Sequence, residues 1–206
     1  MARVTAEKVM QTRAGILEAA RRVLHDQGYS GLTTRNVATA ADVPLSQIQY
    51  HFGSKDGMVL ALFEFMNGQL LERQNTMFAD PNLSFSEKWA LACDFLDTDI
   101  ESGYVRVLQE LTAVGWSNPE IGNAVRAGLT GWFELLSEQV ELFLQTHDLD
   151  IAFSPKEFAA LIGAAFLGAE SSILLGLEER GMPYRAALRR FGELLVIAEN
   201  KTEGGT

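Results

Sequence analysis

Apolar residues recur every three or four positions along most of this chain, the spacing that places them on one face of a helix. The first such segment runs from about residue 5 to residue 27 and stops before Gly28, a residue type that commonly ends helices. No strand-like alternation, glycine-rich phosphate loop or internal repeat interrupts the pattern. The sequence therefore predicts an all-α protein of about nine helices.

Two short helices joined by a turn are predicted next. Thr33 is a good N-cap, and Leu32 before it and Val37 after it have the spacing of a hydrophobic staple. Pro44 suits the first position of the second helix, because its missing N–H would be unpaired there in any case. The apolar anchors of that second helix are Ile48 and Phe52. This arrangement is typical of a helix-turn-helix.

The outward face of the second short helix has the chemistry to read DNA. Glutamine and serine side chains match donors and acceptors on base edges, leucine contacts a thymine methyl group, and tyrosine bonds either a phosphate or a base. The predicted base-reading residues are Leu45, Ser46, Gln47, Gln49 and Tyr50.

A third helix is predicted to begin after Ser54, its N-cap. Lys55 in the first turn places a positive charge beside free backbone N–H groups, where a phosphate can bind. Arg13, Arg21 and Arg22 are either a solvated face or outer phosphate contacts, and the solvated face is favoured for Arg21 and Arg22. The predicted phosphate contacts are Thr33, Thr34, Arg35, Tyr50, His51 and Lys55.

The distribution of charge agrees with this assignment. The chain has 206 residues and a net charge of −10, which by itself argues against nucleic acid as a partner. Residues 1–55, however, hold seven basic and four acidic side chains, a net charge of +3, and the remainder carries −13. The amino-terminal segment is therefore the candidate surface for a polyanion.

The run Ile48–Asp56, reading IQYHFGSKD and preceded by Val37, Ala38 and Val43, resembles the DNA-binding signature of the tetracycline-repressor (TetR) family of bacterial transcription regulators. The signature covers roughly a quarter of the chain, and the rest is similar to that family by its length and helical pattern alone.

Three positions depart from the usual signature. Asp42 stands where glycine is common in the turn, and Pro44 stands where serine often opens the second helix. Gln49 stands where tyrosine is common, with Tyr50 beside it. Which of Gln49 and Tyr50 meets a base and which meets a phosphate is left open.

The resemblance implies a three-helix DNA-binding domain over residues 1–54 and a helical ligand-binding and dimerisation domain over residues 55–206. It implies a homodimer that reads a palindromic operator in double-stranded DNA and is released when a small-molecule effector binds. Repression is favoured over activation, and neither is excluded.

The last two predicted helices carry more apolar surface than one chain of this size needs to bury. The first of them is predicted to run from Ser154 to Arg180. By resemblance, the pair forms a two-fold dimer as a four-helix bundle. The predicted dimer residues are Phe158, Ile162, Ala169, Ile173, Leu188, Phe191 and Leu195.

An effector pocket is expected among inward-facing side chains of the body, and an aromatic-rich core explains the same residues equally well. Mostly apolar cavities suit a moderately hydrophobic ligand. Glu170 either orients that ligand or pairs across the dimer. The remaining candidates are Trp89, Cys93, Leu96, Leu108, Trp116, Trp132, Leu136 and Phe166.

No cofactor, metal or membrane is predicted. Cys93 lies near three aspartates, but two of these do not share a helix face and no histidine accompanies them. As the single cysteine, it excludes an internal disulfide framework and fits a reducing cytoplasm, and the polar amino terminus does not have the pattern of a secretory signal. The apolar segment Phe158–Leu177 contains Glu170, which favours a buried helix over a membrane span.

The sequence also argues against an enzyme. The histidines are His25, His51 and His147, and no serine or cysteine nucleophile has a recognisable partner spacing. The alternative to a ligand-responsive regulator is an architectural or partner-binding helical protein without a small-molecule effector.

Overall fold

The computed structural model describes residues 2–149 and 151–203, and every regular element in these ranges is a helix. Nine α-helices and one short 3₁₀ helix, Glu178–Arg180, are present there, which confirms the predicted all-α fold. The α-helices are α1 (Ala2–Gly31), α2 (Thr34–Ala40), α3 (Leu45–Phe52), α4 (Lys55–Ala79), α5 (Phe85–Glu101), α6 (Tyr104–Gly115), α7 (Pro119–Thr146), α8 (Pro155–Leu174) and α9 (Tyr184–Glu203).

The chain divides into two compact units. The first consists of Met1–Gly68 and Glu101–Val125, and the second of Gln69–Ile100 and Arg126–Thr206. The 25-residue helix α4 contributes residues to both units. The predicted functional division after residue 54 is a different boundary, and it remains a prediction.

The first unit is built on the apolar face of α1. The predicted face is confirmed, with Ile16, Val23 and Leu24 almost completely buried. Gly28 has a φ of 68° and a ψ of −175°, which are not helical, and only the short stretch up to Gly31 continues beyond it. The predicted break at Gly28 is therefore confirmed, and the long first part of α1 ends there.

The second unit has a core cluster formed by α5, α8 and α9, with Trp132 of α7 packed against it. Its buried members are Cys93, Leu96, Phe166, Ala169, Ile173 and Leu188, and Trp89 is a partly buried member. We call this set, with Trp89 and Trp132, the aromatic cluster.

Helix α8 begins as predicted and ends earlier. Ser154 and Glu157 form a reciprocal capping box at its start. The predicted end at Arg180 is wrong, because α8 stops at Leu174 and the chain turns through Gly176, whose N–H donates to the carbonyl oxygen of Ile173 at 2.9 Å.

Among the described residues, α8 is one helix long and apolar enough to cross a membrane by length and composition, with 20 residues and a mean hydropathy of 1.4. Core helices of soluble proteins have the same properties. Phe166, Ala169 and Ile173 of α8 lie in the aromatic cluster, but only 33% of the apolar window is buried, so α8 is buried on one side only.

Candidate nucleic-acid interface

Helices α2 and α3 form the predicted helix-turn-helix. Thr33 caps α2, since the backbone N–H of Asn36 donates to its Oγ1 at 3.1 Å. Leu32 and Val37 are both completely buried, as the hydrophobic staple requires. These local contacts fix the start of α2 and confirm the prediction made from the sequence.

The turn between α2 and α3 depends on Asp42. Its φ is 53°, in the left-handed region that glycine adopts most easily. Asp42 adopts this conformation although it stands where glycine is common. Val43 N–H then donates to the carbonyl oxygen of Ala38 at 3.0 Å, closing the turn. Pro44 is the residue before α3, with an extended ψ of 144°, so its predicted place at the first helical position is wrong by one residue.

Substitution of Asp42 tests the strain in this turn. Asp42→Ala is expected to lower the free energy of unfolding by about 1 kcal/mol, because a Cβ without a polar side chain disfavours left-handed backbone. Asp42→Gly should be at least as stable as the unmodified protein. Urea unfolding followed by circular dichroism measures both, and equal stability of the two variants would contradict the role given to this conformation.

Helix α3 presents the predicted reading face to solvent. Ile48 is buried and holds the helix against the unit. Tyr50 is 71% exposed and Leu45 is 46% exposed. The other predicted base-reading residues are Ser46 and Gln49, which are exposed, and Gln47, which is half-buried.

The flanking helices bring further predicted contacts toward this face. Arg35 of α2 and Leu45 of α3 line one surface depression of about 620 Å³, although ten residues separate them in sequence. Thr33 and Thr34 are half-buried at the start of α2, whereas Arg35 is exposed. The guanidinium of Arg35 and the apolar side chain of Leu45 therefore lie on the same surface.

Lys55 lies at the start of α4 beside an aromatic ring that the sequence did not indicate. Its Nζ is 5.1 Å from the centroid of the Tyr29 ring, a cation–π distance. Gly57 N–H donates to Ser54 Oγ at 3.0 Å, which confirms Ser54 as the N-cap. Burial raises the pKa of Tyr29, so the phenol stays neutral and its ring positions the exposed ammonium group.

His51 lies between aromatic and basic neighbours at the carboxyl end of α3. Its ring centroid is 5.0 Å from that of Tyr50, and the Arg13 guanidinium lies 5.4 Å from the centroid of the Phe52 ring. Burial, and secondarily the charge of Arg13, hold the pKa of His51 below its ordinary value of 6.5. His51 is therefore mainly neutral at pH 7 and offers an N–H donor in place of a charge.

The three arginines of α1 have different environments. Arg13 is exposed and packs against the end of α3, a contact that the sequence pattern did not indicate. Arg21 pairs with Glu18 at 2.7 Å, and Arg22 donates to the carbonyl oxygen of Ala40 at 3.3 Å, at the end of α2. The last two contacts stabilise helices of the same unit.

In the second unit, the structure brings together five of the predicted pocket residues. Trp89, Cys93, Leu96, Trp132 and Phe166 belong to the aromatic cluster or pack against it. The ring centroids of Trp89 and Phe166 are 5.4 Å apart, and those of Trp132 and Phe166 are 6.4 Å apart. These side chains pack as a core, the alternative left open by the sequence.

The other four pocket candidates lie elsewhere. Leu108 is buried in the first unit, and Leu136 and Glu170 are half-buried in the second. Trp116 also belongs to the first unit and is 84% exposed, so the prediction that it faces inward is wrong. Trp116 follows Gly115, the last residue of α6. The helical spacing that buries Leu108 therefore does not determine where Trp116 faces.

Cys93 has the environment of a structural cysteine. It is 4% exposed, and burial raises its pKa to about 11. The thiol is therefore protonated at neutral pH, and a protonated buried thiol is a poor nucleophile and a poor metal ligand.

Three predicted dimer residues pack inside the chain itself. Ala169, Ile173 and Leu188 are buried in the chain's own aromatic cluster, and their assignment to the dimer surface stays a prediction. Periodicity alone does not distinguish which apolar stripe of a two-sided helix faces inward.

The remaining predicted dimer residues are only partly covered. These are Phe158, Ile162, Phe191 and Leu195, all half-buried. The prominently exposed apolar side chains of the same helices are Leu161 of α8 and Leu194 and Ile197 of α9, which are 53%, 57% and 54% exposed.

Comparison with known proteins gives the same family as the sequence signature. Residues 16–62 match the family model described as bacterial regulatory proteins, tetR family. The chain is 35% identical over 77 residues to the HTH-type transcriptional regulator CymR of Pseudomonas putida, covering 37% of this chain and 38% of CymR. It is 30% identical over 131 residues to an uncharacterized HTH-type transcriptional regulator in the dhlA 5′ region of Xanthobacter autotrophicus, covering 61% of this chain and 63% of that protein.

The chain thus spans less than two thirds of either curated relative. A solved structure has the same fold over more of its length: a putative transcriptional regulator from Saccharomonospora viridis in complex with choline. The TM-score is 0.73 at 19% identity, over 89% of this chain and 96% of that one. Residues 16–62 thus carry the DNA-binding signature of the tetR family of bacterial regulatory proteins, and the helix-turn-helix and the shared fold agree with that match.

Proposed function

We propose that this protein is a dimeric transcription regulator that binds a palindromic operator in double-stranded DNA and is released by a small-molecule effector. The observation that carries the proposal is the solvent-exposed polar face of α3, held in place by buried Ile48. An exposed helix of this kind, following a tight turn, fits the major groove.

Base reading is assigned to the exposed side of α3. Ser46 and Gln49 supply donors and acceptors for base edges, and Leu45 supplies an apolar contact for a thymine methyl group. Tyr50 is more exposed than Leu45, and its hydroxyl is assigned to either a base or a phosphate. Gln47 is less accessible, which makes Gln49 the stronger candidate for specificity.

Phosphate binding is assigned to the edges of the same surface. Arg35 and Lys55 are exposed cations on the helices before and after α3. Thr33 and Thr34 lie at the amino terminus of α2, and neutral His51 offers a hydrogen-bond donor. These groups position the protein on DNA, whereas α3 selects the sequence.

The second unit supplies the partner surface and the response to a ligand. The exposed Leu161, Leu194 and Ile197 provide the apolar area that a second copy would cover. The putative transcriptional regulator from Saccharomonospora viridis, which has a similar fold, was solved in complex with choline, which supports a small molecule as the effector. The apolar character of the aromatic cluster favours a moderately hydrophobic effector. The proposal further includes repression, with release from DNA on effector binding, and a cytoplasmic site of action.

Two substitutions separate affinity from specificity. Lys55→Ala should weaken binding to all DNA sequences and reduce the slope of log affinity against log salt by about 1. Gln49→Ala should instead relax the preference at one base position, by about 1–3 kcal/mol. Fluorescence anisotropy with operator and shuffled DNA at two salt concentrations measures both effects.

Lys156→Ala is the matched control for charge, since Lys156 is exposed on α8, outside the proposed interface. Tyr50→Phe, compared with Gln49→Ala, decides which side chain reads a base. If Lys55→Ala and Gln49→Ala both left DNA binding unchanged, the amino-terminal unit would serve another partner.

A further inference from the structure

We propose that the hydrogen bond between Trp132 and Gln74 is the contact through which the aromatic cluster controls α4, and that the unbroken contact favours operator binding. This inference rests on the proposed function, because it assigns to α4 the task of placing the DNA-reading helices.

The geometry gives Trp132 two roles at once. Its indole Nε1–H donates to Gln74 Oε1 at 2.9 Å, and Gln74 is only 8% exposed. The ring of the same residue lies 6.4 Å from Phe166 and 5.4 Å from Phe133, centroid to centroid. A ligand that entered among these rings would displace the group that holds Gln74.

Gln74 lies on a long helix that also carries Lys55. Helix α4 runs from Lys55 to Ala79, so one helix contains both residues. The proposal requires that a change of α4 at residue 74 is transmitted along this helix to its amino-terminal end. That end holds the cation proposed to bind phosphate.

The carboxyl-terminal part of α4 is held by further polar contacts. Arg73 bonds Asp99 at 2.7 Å, and the buried Lys88 donates to the carbonyl oxygen of Phe78 at 2.8 Å. Both contacts come from α5 residues outside the aromatic cluster. Trp132 thus connects the cluster to α4 directly, whereas the other two contacts anchor α4 independently of it.

Loss of the Trp132–Gln74 hydrogen bond costs free energy, and in this proposal that cost couples ligand binding in the aromatic cluster to DNA binding. Gln74 Oε1 is buried, so loss of the indole N–H leaves an acceptor without that donor. A coupling of this kind changes ligand affinities by about 5- to 150-fold, and it acts equally in both directions. If Trp132 controls operator binding, operator binding must therefore change the environment of Trp132.

The chain contains a matched control. Trp89 is also in the aromatic cluster, 5.4 Å from Phe166, and its Nε1–H donates to the carbonyl oxygen of Leu188 at 2.7 Å. Its partner lies on α9 and not on α4. Trp89→Phe and Trp132→Phe therefore remove the same chemical group from the same cluster, and only the second removes the link to α4.

The experiment uses the full chain and an operator selected from a random DNA pool. Trp132→Phe and Gln74→Met should each weaken operator binding about tenfold, whereas Trp89→Phe should change it less than about twofold. In the Trp89→Phe, Trp116→Phe double variant, where Trp132 is the one remaining tryptophan, the emission maximum should shift when operator is added but not with shuffled DNA. The same shift should be absent from the Trp116→Phe, Trp132→Phe variant, which retains Trp89.

Thermal unfolding verifies that each variant is folded. If a double variant is not folded, the Trp116→Phe protein, which retains Trp89 and Trp132, replaces it. Gln74→Met in that background should then abolish the shift of the emission maximum. Normal operator binding without a Trp132-dependent response, or equal effects of Trp89→Phe and Trp132→Phe, would overturn this inference and leave the proposed function standing. Failure of the unmodified protein to bind any selected DNA would overturn both.

Discussion

Gly57→Ala is expected to lower the free energy of unfolding by about 1–3 kcal/mol and to weaken DNA binding at least tenfold. A Cβ at residue 57 would lie 2.2 Å from the backbone carbonyl oxygen of Phe52. That carbonyl already accepts the N–H of Ser54 at 2.8 Å in the turn between α3 and α4. Since neither atom belongs to a flexible side chain, the two helices must separate, and the relation between α3 and Lys55 changes.

Gly68→Ala is the control for this prediction. Gly68 lies in the same helix α4, and a Cβ there would meet nothing within 4 Å. Alanine should therefore stabilise the helix by about 0.5–1 kcal/mol, the ordinary difference between the two residues. Urea unfolding and operator titration of both variants measure the contrast. A Gly57→Ala protein as stable as Gly68→Ala would contradict the described junction.

Leu194→Asp is expected to make the protein monomeric and to weaken operator binding by about 10²- to 10⁴-fold. Leu194 is 57% exposed on α9, so a charge there costs the single chain little, but it would be desolvated in a dimer. A monomer presents one reading helix and loses the gain from simultaneous binding of two half-sites. Analytical ultracentrifugation and DNA titration measure the two effects.

Leu142→Asp supplies the comparison, because Leu142 is similarly exposed but lies on α7. It should leave both association state and DNA affinity unchanged. A Leu194→Asp protein that remained dimeric would place the partner surface elsewhere, and a monomeric protein with undiminished affinity would contradict the need for two reading helices.

The features predicted correctly from the sequence are those decided by near neighbours in the chain. Thr33 and Ser54 cap helices through a backbone N–H three residues away. Asp42 adopts its left-handed conformation within a turn of a few residues. Such contacts have fixed sequence spacing, and the helix-turn-helix and its exposed face were predictable for that reason.

The features that the sequence did not predict depend on contacts between distant segments. Ile173 and Leu188 have the same apolar character as Leu194, and only the packing of α8 and α9 decides which are buried. Trp116 has the composition of a core residue, but it follows the end of α6 and is exposed. The contact of Arg13 with Phe52 likewise joins residues 39 positions apart.

Selection of binding sequences from a random DNA pool with the purified protein tests the central claim most directly. We expect an enriched palindrome whose two half-sites lie about one helical turn (10–10.5 base pairs) or a multiple of it apart. Binding to that palindrome should weaken steeply as salt rises. Absence of any enriched sequence at low salt, or enrichment of a single site without two-fold symmetry, would contradict a dimeric reader of operator DNA.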